Sequence, residues 1–182
     1  MSRVTLSLLL SLTIGAISSV SHAGDSNDQG LQLPKLAKTL IAFSSLYGVD
    51  GGFVGTNNPQ RGVAGDDLPW DSPSFAEGRV TTDGLVFITV RGLVLGHDDV
   101  VPDNLKGVNP DATFRGRVSC MTEVGETDVA EAHVDTREFK ANAHGDSTIL
   151  EKVTLPNPCV APVVMILNGK TDQWFAMTGV EN

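Results

Sequence analysis

The sequence predicts an all-β protein: an antiparallel β-sandwich, immunoglobulin-like or similar, with one short N-terminal helical segment. Three observations point there. Roughly eight to ten short β-forming runs are separated by turn residues every 8–12 positions. Asp83-Gly84 and Asn168-Gly169 each stand between two such runs, and both dipeptides favour tight hairpins. From Phe114 to Cys120 apolar and polar residues alternate with a period of two, which gives a strand one core face and one solvent face.

The chain begins with export chemistry. Arg3 is followed by an apolar run from Val4 to Ile17, and then by Ser21 and Ala23, small residues at the two positions a signal peptidase reads. The run is too short to span a bilayer, which takes ~20 apolar residues, and no later run is longer. Residues 1–23 therefore read as a signal peptide, 24–30 as a loose N-terminus, and 31–182 as a single sandwich domain. Without Arg3, twelve basic residues face 22 acidic ones, a net charge of −10. An acidic surface repels nucleic acid and anionic lipid, so neither is an expected partner, and no transmembrane segment remains after cleavage.

Leu33, Leu36, Ala37, Leu40 and Ile41 fall at helical spacing, with Pro34 placed for a first turn. From Thr39 to Tyr47 the pattern turns strand-like, and Asp50-Gly51-Gly52 supplies a turn. Residues 55–76 and 95–111 carry no strand pattern, and long irregular segments are often functional or disordered. Leu85 to Val90 is apolar on both faces except at Thr89, as in a central strand. Val163 to Leu167 is wholly apolar and leads through Asn168-Gly169 into Trp174–Met177.

Cys120 and Cys159 are the two cysteines, and in an exported chain an even pair predicts a disulfide. His97, His133 and His144 show no metal-ligand spacing, and the sequence has no G-x-S-x-G, H-E-x-x-H or P-loop motif. No catalytic residue is therefore assigned. The loop His97-Asp98-Asp99-Val100-Val101-Pro102-Asp103-Asn104 offers three carboxylates, and Asp98, Asp99 and Asp103 are the candidate ligands for calcium, a hard cation that takes oxygen donors. The competing reading is a solvated acidic turn. Trp70, inside the first long segment, is the ligand-contact candidate: an exposed indole offers a flat face to a sugar ring, a proline or a partner protein. Its competing reading is a plug over one open end of the core. Trp174 alternates within a strand and is expected in the core.

Several short phrases carry a resemblance: Leu46-Tyr47-Gly48-Val49-Asp50-Gly51, Arg61-Gly62-Val63 followed by Leu68-Pro69-Trp70, Val90-Arg91-Gly92-Leu93-Val94, Pro156-Asn157-Pro158-Cys159 and Trp174-Phe175-Ala176. Through them the chain resembles a loose group of exported bacterial β-rich proteins without known activity. The resemblance implies export from a bacterium, and it carries no activity, cofactor or catalytic residue. The expected function is that of a non-enzymatic binding or structural module, periplasmic or extracellular, with a protein or carbohydrate partner. The alternative is a hydrolase acting on an extracellular polymer, marked by two carboxylates at working distance, one with a raised pKa.

Overall fold

A computed structural model describes residues 36–180. The expected signal peptide, the loose N-terminus and the start of the helical segment lie outside the described residues. Ten antiparallel strands form two sheets. The smaller has the order β1-β3-β4-β8, from β1 (Thr39–Phe43), β3 (Phe75–Thr81), β4 (Leu85–Arg91) and β8 (Ser147–Lys152). The larger has the order β2-β10-β9-β5-β6, from β2 (Leu46–Gly48), β10 (Trp174–Thr178), β9 (Val160–Asn168), β5 (Thr113–Val124) and β6 (Asp128–Asp135). The two-residue β7 (Phe139–Lys140) pairs with the start of β5. The expected all-β sandwich is the observed architecture.

The helical segment is a correction. Leu36 to Lys38 is irregular, and Thr39 already opens β1. Leu36 is 87 % exposed, so the apolar stripe of a helix here would have nothing to bury against, and a helix this short is not stable unaided. Pairing of Ile41 with Val80 and of Phe43 with Gly78 buries apolar groups that the helix would leave wet. The helical element among the described residues is one 3₁₀ turn, Gly51–Phe53, where Asp50 Oδ1 accepts from Gly51 N.

Alternation sorts each strand between core and surface. In β5, Phe114, Gly116, Val118 and Cys120 are buried as their period predicts, while Arg115 and Arg117 lie on the outer side. In β9, Val164 to Leu167 are fully buried, as befits a strand flanked by β10 and β5. The β3–β4 hairpin closes at the expected place but not with the expected two-residue turn. Gly84 N donates to Thr81 O, and only Gly84 has positive φ (88°), so the loop is Thr82-Asp83-Gly84. This is the three-residue hairpin that ends on a left-handed glycine.

The two long irregular segments belong to the core. Val63 and Trp70 of the first, and Leu95 and Val101 of the second, are each at most 4 % exposed. Trp70 forms an isolated bridge with Leu95, and Trp70 N donates to Val49 O. Asn109 is buried with its amide satisfied: Nδ2 donates to the carbonyls of Asp111 and Asn142, each at 2.8 Å, and Oδ1 accepts from Asp111 N. Pairing of this kind offsets the cost of burying polar groups in a loop.

Candidate functional site

Strand alternation also builds an outward-facing surface on the smaller sheet. Ala76, Gly78 and Val80 of β3 turn inward, so Phe75, Glu77 and Arg79 turn outward. Val86, Ile88 and Val90 of β4 are buried, which leaves Leu85, Phe87 and Thr89 on the outer face at intermediate exposure. Register then lines up Arg79, Phe87 and Leu150 across three strands. Phe75 is 44 % exposed and Leu150 52 %. The Arg91 guanidinium lies 5.6 Å over the Phe75 ring, within cation–π range. Beside this row, where β1 ends at Phe43 and β3 runs on to Phe75, a groove of about 620 Å³ opens between the two strands. Its walls include Ala42, Phe75, Arg79 and Phe87. Apolar side chains with Glu77 and Arg79 among them, around a shallow groove, can hold a partner surface.

The chain matches no known protein-family model, no curated protein and no solved structure. The resemblance to exported bacterial proteins therefore rests on its short phrases alone.

The residues singled out in the sequence fall in three places. Trp70 is 2 % exposed, stacked on Phe175 at 3.9 Å with 17° between planes, and edge-on to Phe114 at 6.4 Å. It is buried in the core and has no free face for a ligand. Burial won because Leu68-Pro69 delivers the indole onto two aromatic rings that would otherwise be open. Asp98, Asp99 and Asp103 do not converge. Asp103 pairs with Lys106 at 2.9 Å with its own side chain 95 % exposed, and among the described residues no group of three or more His, Cys, Asp or Glu is placed to hold a metal ion. Asp98 O instead accepts from Val101 N and shapes the turn. His97 reaches Asp71 at 3.3 Å across the surface. Cys120 and Cys159 form the expected disulfide, with Cα atoms 4.9 Å apart.

Sequence reasoning missed two charged groupings. On the outer face of the larger sheet Arg117 holds Asp135 through two bonds, Nε at 2.6 Å and a terminal nitrogen at 2.7 Å. Arg115 bridges Asp135 and Asp172, and Asp172 also reaches Arg117 at 3.0 Å. The hydrogen bond from Arg115 holds Asp172 below the usual carboxylate range, and Asp135 holds Arg117 above its ordinary value. The lattice balances its charges and ties the 169–173 turn to β5. The period-two pattern could have revealed it, since Arg115 and Arg117 must share a face.

The second grouping is Asp66 with Asp111. Burial pushes both carboxyls up, and the charge of Asp111 adds to the rise at Asp66. Asp66 Oδ1 accepts from Leu68 N, and Asp111 Oδ1 from Asn168 Nδ2. A carboxyl with a raised native pKa binds its proton more tightly when folded. Its charged form therefore opposes folding at neutral pH, and that cost disappears as pH falls through the raised native pKa toward the unfolded value. Asp66→Asn keeps an acceptor for Leu68 N and removes the charge. We expect a higher Tm at pH 7, by a gain of about 1 kcal/mol or less, shrinking as the pH is lowered toward 4. Thermal melts at the two pH values check this, and a lower Tm at pH 7 would contradict it.

Proposed function

We propose that this chain is an exported binding module that docks a protein partner on the outer face of its smaller sheet. The observation that supports this reading is the row Arg79, Phe87 and Leu150 beside Phe75 and the groove, apolar at the centre and charged at the rim. Interfaces of this kind concentrate affinity in aromatic and arginine anchors. Leu85 to Val90 is written like a strand covered on both faces, and a partner on the outer face would supply the second cover. The Arg3–Ala23 pattern supports export, and a disulfide is at home in an oxidising compartment.

The test uses the protein secreted by its own producer, with its N-terminus sequenced; the first residue should be Gly24. That protein, immobilised, should retain a partner from the same compartment. Phe75→Ser together with Leu150→Ser should cut retention by at least about tenfold, and leave the melting temperature within a few degrees. Equal retention by the double variant would remove this face from the function.

The alternative, a hydrolase acting on an extracellular polymer, has the raised carboxyls of Asp66 and Asp111 in its favour. Release of reducing ends or free amines from cell-wall polymer, lost in both Asp66→Asn and Asp111→Asn, would select it over the binding reading.

A further inference from the structure

We infer that β6 is a self-pairing edge, through which two copies of this chain join their larger sheets into one continuous sheet. β6 is the outer strand of that sheet and runs eight residues in unbroken register against β5, from Val124 opposite Asp128 to Arg117 opposite Asp135. Among the described residues no strand pairs with its other side. The remaining edges are blunted. β1 carries a register shift, β2 has three residues, and β8 is met by the Ala141–Ser147 bridge and by Arg137 N, which donates to Glu151 Oε2. A long, regular, proline-free edge is a template for another strand.

The polarity of β6 fixes which groups are offered. Thr136 N donates to Gly116 O at 2.8 Å, and Gly116 N to Thr136 Oγ1 at 2.9 Å, so the backbone of Thr136 faces β5. Backbone groups alternate along an antiparallel ladder. Val134, Ala132, Ala130 and Asp128 therefore face β5 as well, while Val129, Glu131, His133 and Asp135 present N–H and C=O outward.

An antiparallel partner strand must pair these outward residues with one another. Centred on Ala132, the ladder sets Glu131 opposite His133 of the second copy and Val129 opposite Asp135 of the second copy, each twice by symmetry. Centred on Glu131 it would oppose two glutamates, and centred on His133 it would oppose Glu131 to Asp135. Like charges directly opposed are destabilising, and a ladder centred on Ala130 or Val134 would set two of the four outward residues beyond the strand's end, so β6 favours the Ala132 register. That register also brings Asp128 of one copy close to Arg137 of the other. Asp128 is opposite Thr136 of the second copy, next to Arg137, whose side chain is 71 % exposed, lies 4.7 Å over the Phe139 ring and meets Glu151 at 3.8 Å. The two-fold arrangement is the commonest for a pair of like chains. The net negative charge opposes association at long range, but salt near physiological strength screens it beyond ~8 Å, whereas the ladder acts at contact.

The experiment is sedimentation equilibrium of the disulfide-bonded protein over a concentration series, with folding of every variant checked by thermal melting. The unaltered chain should move from monomer to dimer as concentration rises. His133→Pro removes an outward N–H and leaves the β5 ladder intact, because proline is tolerated on an edge whose N–H faces solvent. It should weaken the dimer at least about tenfold. Asp128→Arg and Arg137→Glu should each weaken it several-fold, and the two together should restore it. A protein that stays monomeric to about 1 mM overturns the proposal. So does a dimer that a folded His133→Pro variant forms with undiminished affinity, and so does a charge-swapped double variant weaker than both singles.

Discussion

Replacing Cys120 and Cys159 together with alanine lowers the unfolding free energy by about 2–5 kcal/mol, the range for loss of a native bond from a small disulfide-bonded domain. The bond joins neighbours within one sheet. Cys120 is fully buried at the register shift where β5 meets the start of β9, and Cys159 stands one residue before β9 begins. Their separation in sequence is 39, and the chain-entropy account assigns such a loop about 4 kcal/mol. The loop contains β6 of the larger sheet and β8 of the smaller one, so the bond holds together an excursion that visits both layers. Urea unfolding of the oxidised, reduced and doubly substituted protein measures the difference. Transitions that coincide within about 0.5 kcal/mol would show that the bond adds nothing. Two free thiols per chain in the purified protein would show that it does not form.

Trp70→Ala costs about 3–5 kcal/mol, the usual penalty for deleting a buried large aromatic. The indole is enclosed by Phe175 beneath it and Phe114 at its edge, and those two rings touch edge-to-face at 5.6 Å. Removal leaves a cavity that neither can fill, because each is fixed by its own strand. Trp70→Phe retains a ring on Phe175 and should cost less than half as much. Chemical denaturation reads both variants, and a loss below about 1.5 kcal/mol for the alanine variant would mean that the core collapses around the gap without strain.

What the sequence revealed depended on how local the cause was. Alternation in Phe114–Cys120, the unbroken apolar run of β9 and the turn at Asp83-Gly84 are properties of neighbouring residues, and they appear where expected. Asn168-Gly169 did mark a hairpin, but the turn is longer: Asn168 N donates to Gln173 O, and five residues intervene between β9 and β10. A Cβ on Gly169 would lie 2.1 Å from Thr113 Oγ1, so glycine is required there by a strand far away in sequence. Trp70 was legible only as a choice between plug and platform. The rings that decided it, Phe114 and Phe175, lie at remote positions. The outer row of the smaller sheet was half legible. Its apolar members showed in Leu85–Val90, but their alignment with Arg79 and Leu150 needed the register.

The place of β10 has a consequence for how this chain reaches its native state. β10 lies between β2 and β9, although β2 and β10 stand near opposite ends of the described sequence. Val49, Ala64 and Asp66 also bond to the backbone of Trp174 or Phe175. β2 has no strand partner in its sheet until residues 174–178 are available, and pairings so distant are slow to close. A polypeptide threaded through a translocation channel from its N-terminus would leave β2 unpaired until residues 174–178 emerge. On the export route proposed above, that delay would keep the larger sheet incomplete while the chain crosses the membrane.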